Sequence, residues 1–363
     1  MQLSVNQDAL SKALSIVGRA VATRTTMPIL GNVFLEATGS SLRLSATNRE
    51  LSINCYIEAN VKYDGSITVP ARLFSEFVGN LPQERVKLDL YEKTLTLKIE
   101  CGSHKAQFKG VDAFEFPSVP TSLDGASYTM NAAELQRIVK LVGFCASQDE
   151  KRPTLNGVQM SFNGQLTTAS LDGYRLSVHS AAVKGQDATI LVPVCNLAEL
   201  GKLDPDNDVK ITISNNNQVL FSSGGIDIIS SLIDGKFPDY NPIVPKEWTT
   251  KIAVSTAELQ KAAKVAYLFA RDSANKIGLS VDGGLMRLDA EHPEMGSNIS
   301  TVDCKVEGPP LSMMVNAKYL IEALNQVEAP LITMEMTTDK RPIMLRTVGN
   351  DNWFHVIMPM VTF

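Results

Sequence analysis

The sequence predicts an α+β protein built from three copies of one domain, each with two helices packed on antiparallel sheets. Three observations predict it. The stretch VPARLFSEFVGNL from Val69 returns as VPVCNLAELGKL from Val192 and as VNAKYLIEALNQV from Val315, in two equal steps of 123 residues. A second block, NQDALSKALSIVGRAV from Asn6, NAAELQRIVKLVGFCA from Asn131 and STAELQKAAKVAYLFA from Ser255, sets a matching leucine at Leu10, Leu135 and Leu259, in steps of 125 and 124. Between the blocks, apolar and polar residues alternate. Two separate blocks holding one register define a repeat of about 120 residues, the size of an ordinary domain.

In the first repeat Leu10, Ala13, Leu14 and Val17 follow the i, i+3, i+4, i+7 spacing of a helix with one apolar face. A second helix is predicted over about Ala71 to Asn80, after the turn signal Val69-Pro70. Ser41 to Ser45, Leu51 to Ala59, Val86 to Tyr91 and Leu95 to Ile99 alternate as strands do, with Glu92-Lys93 at a hairpin turn. Alternation means sheets with one wet face, hence antiparallel α+β rather than doubly wound α/β. The first repeat closes at FEFPSVP and the second at the related FPDYNPIVP, each followed by an aperiodic segment suited to a linker. The expected domains are 1–125, 126–247 and 248–363.

The chain has 363 residues, 44% of them hydrophobic and 20% charged, enough apolar mass for more than one core. Its start, MQLSVNQDALSKAL, lacks a basic segment followed by an apolar one, and no run of about 18 apolar residues occurs. The expectation is a cytoplasmic protein with no membrane partner. Cys55, Cys101, Cys145, Cys195 and Cys304 are odd in number and never spaced as CxxC, which fits buried reduced thiols better than disulfides or zinc. A net charge of −5 argues against a general nucleic-acid coat, so the position of the charges matters more than their sum.

Two residues beyond each matching leucine stand Lys12, Arg137 and Lys261, and five beyond stand Lys140 and Lys264 in two of the copies. Positions three apart share a helix face, so these residues form a basic stripe beside the apolar one, continued by Arg19 and Arg271. The three helices carry seven basic residues against three acidic, a surplus of four in a chain whose total is −5. For one helix alone a solvated face is the simpler reading. The same sign at the same position in three copies favours a common surface offered to a polyanion. Such a surface contacts phosphates without reading bases, since no aromatic is interleaved for stacking. A compact domain of this size is roughly 35 Å across, so three in a ring leave no hole while six leave one of about 30 Å. Six domains are two chains, and a closed dimer would encircle duplex DNA.

The motifs MPILGN (Met27 to Asn32), TVPAR (Thr68 to Arg72), LDGYRL (Leu171 to Leu176), DGKFPDY (Asp234 to Tyr240) and VIMPM (Val356 to Met360) stand in order along the chain. With its three repeats, the whole chain resembles the bacterial sliding clamp family, the beta subunit of DNA polymerase III. The resemblance implies three DNA-clamp domains in a head-to-tail ring of two copies of the chain, helices around the hole and sheets outside. It implies a processivity factor that holds double-stranded DNA by topology. It also implies a cleft between the second and third domains for short linear motifs of the DNA polymerase III alpha subunit, the clamp loader, other DNA polymerases and repair proteins. The cleft residues carried over are Leu155, Gly173, Tyr174, Arg175, Leu176, Pro238, Ile243, Tyr319, Pro342, Val356, Met358, Pro359 and Met360, with Leu171 beside them. An apolar pocket suits hydrophobic anchors, and methionine adapts to different partners. Leu171 stands where the family suggests a small threonine, and the chain closes on Val361-Thr362-Phe363 rather than a basic-leucine end, so both bear on pocket shape. Arg24 and Arg152 match the family's DNA-contacting loops, beside Lys12, Arg19, Arg137, Lys140, Lys261 and Lys264 on the helices. The seam between copies is expected to join Phe108 to the region of Leu268 and Phe269.

His104, His179, His292 and His355 are scattered without metal-ligand spacing and are read as satisfied structural residues. No Walker A loop, GxGxxG or GxSxG occurs, and Asp172 before Gly173 reads as a turn residue. The expectation is a protein that is not an enzyme and needs no cofactor or metal. The alternatives to a clamp are a monomeric repeat scaffold whose basic stripe is incidental and, more weakly, a hydrolase with an unrecognised site.

Overall fold

The helices form where the leucine registers predict them. In the computed structural model, which describes residues 1–360, the first repeat contains β1 (Gln2–Asn6), α1 (Gln7–Val17), β2 (Asn32–Thr38), β3 (Ser41–Thr47), β4 (Leu51–Glu58), β5 (Asn60–Tyr63), β6 (Gly65–Pro70), α2 (Ala71–Gly79), β7 (Arg85–Tyr91), β8 (Thr96–Cys101) and β9 (His104–Lys109). The second contains β10 (Gly125–Asn131), α3 (Ala132–Gly143), β11 (Gly157–Phe162), β12 (Leu166–Leu171), β13 (Arg175–Ala181), β14 (Ala188–Pro193), α4 (Val194–Leu197), β15 (Asp208–Ser214), β16 (Gln218–Ser223) and β17 (Ile226–Ser231). The third contains β18 (Thr250–Ser255), α5 (Thr256–Ala270), β19 (Lys276–Asp282), β20 (Leu285–His292), β21 (Gly296–Glu307), β22 (Leu311–Asn316), α6 (Ala317–Leu324), β23 (Leu331–Met336), β24 (Ile343–Thr347) and β25 (Asn350–Ile357).

Each first helix buries the stripe that its spacing defines. Leu10, Ala13, Leu14 and Val17 of α1 are buried, as are Leu135, Ile138 and Val142 of α3. In α5 the stripe is Leu259 followed by Ala262, Ala263, Ala266 and Ala270, small residues that let the helix lie close to its sheet. Ser255 caps α5 by accepting the Glu258 N–H, and Asn316 caps α6 by accepting those of Lys318 and Tyr319. The second helix of the second repeat departs from expectation. After one α turn in α4, residues 198–202 continue as a tighter 3-10 turn, because Asn196 and Gly201 are poor helix formers. Cys195 on that single turn is exposed and Cys304 half-buried, so only Cys55, Cys101 and Cys145 are the buried thiols expected.

Hydrogen bonding between strands gathers the backbone into two compact units. In the first, Met1–Ala133 with Lys202–Leu232, a five-stranded sheet runs β5-β1-β7-β8-β9 and an eight-stranded sheet runs β10-β15-β16-β17-β4-β3-β2-β6. In the second, Glu134–Gly201 with Ile233–Phe363, one sheet runs β14-β11-β12-β13-β25-β24-β23-β18-β21-β20-β19-β22. The pairing is antiparallel throughout these ladders, as the alternation predicts. Two ladders cross repeat boundaries: β17 pairs with β4, joining the second repeat to the first, and β13 pairs with β25, joining the second to the third. An edge strand leaves unpaired N–H and C=O groups, and pairing with the neighbouring repeat satisfies them.

Candidate peptide cleft and nucleic-acid interface

The ladder from β12 to β24 builds an apolar floor. Leu171 stands opposite Leu176, Leu176 opposite Val356, and Val356 opposite Met344. Side chains directly opposite on adjacent strands share a sheet face, so four apolar residues from two repeats form one row. Leu155, Ala169, Val178, Leu191 and Phe237 complete the buried cluster, with Ile233, Tyr240, Val244 and Phe354 packed against it. Gly157 permits this closeness: a Cβ there would come within 2.7 Å of Ile233 Cδ1 and 3.0 Å of the Val192 carbonyl.

The expected cleft residues therefore divide. Leu155, Leu171, Leu176 and Val356 are buried and form the floor rather than an open wall, because Phe237 and its neighbours already cover them. Gly173, Tyr174, Pro238 and Ile243 are exposed, and Tyr319, Pro342, Met358, Pro359 and Met360 half-buried. Met358 donates its N–H to the Tyr174 carbonyl at 2.8 Å, tying the chain beyond β25 to the turn after β12. Met360 lies apart from the floor, donating its N–H to the Met314 carbonyl on β22 and lining a separate groove of about 450 Å³ with Gly278, Arg287 and Asp289. Val361-Thr362-Phe363 lies outside the described residues. Phe237, Tyr240, Val244 and Met344 were missed as floor residues, although the first two fall within DGKFPDY and the last could be found only from the β24–β25 register.

Beside the floor, Tyr174, Arg175 and Tyr319 line a polar groove of about 660 Å³ with Phe144, Asp149, Arg152, Asp172, Lys318 and Glu322. The turn that enters it is set by Asp172, whose Oδ1 accepts the N–H groups of Tyr174 and Arg175, while Gly173 supplies φ +97°. Asp172 thus has the turn role its sequence context predicts. Arg175 is 9% exposed, and its charge is matched on three sides. It donates to Asp172 Oδ2 at 2.9 Å, to Glu322 of α6, and to the Phe144 carbonyl at 3.3 Å, with its guanidinium 4.5 Å from the Tyr319 ring centre. Tyr174 stacks on Tyr319 at 6.4 Å.

The carbonyls at the end of α3 are satisfied from the sheet below. Ser177 Oγ donates to the Leu141 carbonyl at 2.6 Å, Trp353 Nε1 to the same carbonyl at 3.1 Å, and Ser170 Oγ to that of Val142. His355 stacks between Trp353 and Phe144. The expectation of satisfied histidines fails at His179 and His355, whose four ring nitrogens are buried without hydrogen-bond partners. His355 lies against two aromatic rings, and His179 stands opposite Trp353 in the β13–β25 ladder. Burial, with Arg175 adding to it, pushes the His355 pKa down to about 3, so the ring stays neutral.

Apart from Arg19, the expected DNA-contacting cations are exposed, but several have carboxylate partners. Lys12 lies 2.8 Å from Asp8, Arg137 3.6 Å from Glu134, Lys140 2.6 Å from Glu328, and Arg152 3.7 Å from Asp149. Lys140 holds the exposed Glu328 carboxyl below its usual range. Arg19 is half-buried in a 3-10 turn after α1. Arg24, Lys261 and Lys264 are exposed, with no carboxylate partner among the described residues. Phe108, expected at the seam, lies on β9. It is 6% exposed, edge-on to Phe74 and Phe77 of α2, because that helix folds across β9. The apolar surface on that helix is Leu73, and at the other expected side Leu268 is exposed and Phe269 half-buried. Among the described residues no cluster of His, Cys, Asp and Glu could hold a metal ion, and no helix is long and apolar enough to cross a membrane.

Three repeats of helices on antiparallel sheets, with an apolar floor built where two repeats share a ladder, define the three-domain clamp class. Family profiles match in three consecutive blocks: the DNA polymerase III beta subunit N-terminal domain over residues 1–120, its central domain over 129–239 and its C-terminal domain over 241–361. The chain is 28% identical to the beta sliding clamp of Staphylococcus aureus over 377 aligned residues, with all of both chains covered. It superposes on the DNA polymerase sliding clamp of Bacillus subtilis with a TM-score of 0.96 at 27% identity, again over all of both chains. A Pseudomonas aeruginosa sliding clamp solved with griselimycin bound gives 0.95 at 24% identity over the full length of both and shares the fold. The chain belongs to the DNA polymerase III beta subunit family.

Proposed function

We propose that this protein is a processivity factor: a sliding clamp that closes as a ring of two copies around duplex DNA, without sequence preference, and tethers the replicative polymerase. The observation that carries this reading is the match along the whole chain, in three consecutive blocks, to relatives named beta sliding clamps. The domains are taken as 1–125, 126–247 and 248–363. The chain acts in the cytoplasm as an accessory subunit with no catalytic site of its own. A monomeric scaffold is not favoured by relatives of this kind.

DNA contact falls to Lys12, Arg19, Arg24, Arg137, Lys140, Arg152, Lys261 and Lys264. The four ion pairs among them are solvated, and such surface pairs contribute little. Phosphate can therefore replace the carboxylates at little cost, and weak replaceable contacts permit sliding. The Leu171, Leu176, Val356 and Met344 row, with the Tyr174 and Tyr319 groove beside it, receives linear motifs of the DNA polymerase III alpha subunit, the clamp loader and other polymerases or repair proteins. The seam between copies runs between two unpaired edges, that of β9 and that of the first half of β21, which pairs only with β20 as far as Asp303. Leu73 on one side and Val265, Leu268, Met295 and Ile299 on the other are exposed apolar residues near those edges.

The test is retention on DNA of defined topology. Loaded with a clamp loader and ATP onto a nicked circle, the protein is expected to remain bound and to be lost when the circle is cut. Equal retention on circle and linear DNA would mean ordinary electrostatic binding and would overturn the clamp reading.

A further inference from the structure

The turn between β3 and β4 carries an arginine in a backbone conformation suited to glycine. Arg49 has φ +80°, where a Cβ is crowded and non-glycine residues are uncommon. The turn is held without the guanidinium. Thr47 Oγ1 accepts the Arg49 N–H at 3.0 Å, Asn48 Oδ1 accepts those of Glu50 and Leu51 at 3.0 and 2.8 Å, and Ser231 donates its N–H to the Glu50 carbonyl at 2.8 Å. The side chain instead reaches across to the next loop, where Arg49 Nη1 lies 3.9 Å from Met27 Sδ. A thioether is a weak acceptor that leaves the positive charge unmatched.

Met27 closes the loop that carries Arg24, and the 3-10 turn Gly18–Ala20 at the end of α1 packs on β3 and β4. The Arg24 loop and the Arg49 turn thus meet at one end of the first repeat's helix. Arg24 and Arg49 are both exposed, with no carboxylate partner among the described residues, unlike Lys12, Arg137, Lys140 and Arg152. Strained backbone persists where something other than local folding requires the side chain.

We propose that Arg49 is a further phosphate-contacting residue, forming with Arg24 a two-cation site for the phosphodiester backbone of duplex DNA. The inference rests on the clamp reading and adds a residue to its DNA surface. Two guanidiniums carried on hydrogen-bonded loops offer forked donors to phosphate oxygens with little ordering left to be done on binding, and neither reads a base.

The test uses R49G, which removes the cation and relieves the backbone. Equilibrium binding of the full chain to a short fluorescent duplex across a salt series is measured beside thermal unfolding. The expected result is affinity lower by about three- to tenfold at low salt and a log–log salt slope shallower by about one, with a thermal midpoint equal to or above the wild type's. R49K, which keeps the charge, should recover most of the affinity. Wild-type affinity and slope in R49G would overturn the proposal, as would a lowered thermal midpoint, which would mark Arg49 as structural. Loss of the wild-type chain from circular and linear DNA alike would instead overturn the clamp reading itself.

Discussion

Arg175 adds a side-chain link to the β13–β25 ladder between the second and third repeats, since β13 carries it and α6 supplies Glu322. Removing one partner of a buried ion pair leaves the other charge unmatched and costs about 3–5 kcal/mol. Glu322 is 31% exposed on its side chain, so water screens part of that loss. Arg175→Met is expected to lower stability by about 2–3 kcal/mol and to weaken partner-peptide binding, read as a urea midpoint and a titration with a labelled linear motif. An unchanged midpoint would mean that the ion pair holds nothing. At His355 the argument runs through pH. The folded ring stays neutral down to about pH 3, whereas an unfolded histidine takes up its proton near 6.5. The unfolded chain therefore binds the extra proton between those values. Stability is full above about pH 6.5 and falls as pH is lowered toward 3, by about 2 kcal/mol at pH 5. His355→Phe keeps a ring between Trp353 and Phe144 and removes no hydrogen bond, so it should lose less stability between pH 7 and 5 than the wild type. Equal losses in both proteins would refute the account.

Among the elements, β9 is an edge strand whose outer flank is open. The Gly110 N–H donates to the Leu95 carbonyl, and Leu97 pairs with Phe108, Ile99 with Ala106 and Cys101 with His104. In an antiparallel ladder the exchanging pairs alternate, so those residues bond to β8 while the N–H groups of Lys105 and Gln107 point away from it. Gln107→Pro would remove an outward donor and no internal bond. In solution the chain is expected at twice 39.5 kDa, and this variant should shift toward the single-chain mass while its circular dichroism stays unchanged. A variant that remains at twice the chain mass would rule out β9 as the seam. The helices differ in how much their sequences could tell. The stripes of α1, α3 and α5 were legible because apolar side chains at helical spacing have one way to be buried. The shortening of α4 was less so, because local propensity competes there with a repeat that suggests a longer helix.

Over the whole molecule, the three-copy plan and the alternation of its strands were legible from the repeat register alone. The way the copies join was not. Pairing of β17 with β4 and of β13 with β25 converts repeats into continuous sheets, and no local pattern marks which edge of a repeat will meet its neighbour. The candidate site follows the same division. LDGYRL and VIMPM fall on strands that meet in one ladder, yet they did not reveal that Leu171, Leu176 and Val356 form a covered floor, that Met344 completes it, or that Met360 lies in another groove. That Phe108 packs edge-on to Phe74 and Phe77 of α2 likewise follows from packing and not from any local pattern.

By itself the sequence determined the fold class, the number of copies, the buried helix faces and the positions of the basic residues, because these depend on spacing along one chain and on the preference of apolar surface for burial. Only the tertiary structure decided that Lys140 meets Glu328 and Arg175 meets Glu322, which residues of the candidate cleft are floor and which are rim, and that the Arg49 turn lies beside the Arg24 loop beyond the end of α1. Those outcomes depend on contacts between residues far apart in sequence, such as Lys140 with Glu328 and Arg175 with Glu322, whose distances are set by strand register and packing rather than by any local pattern.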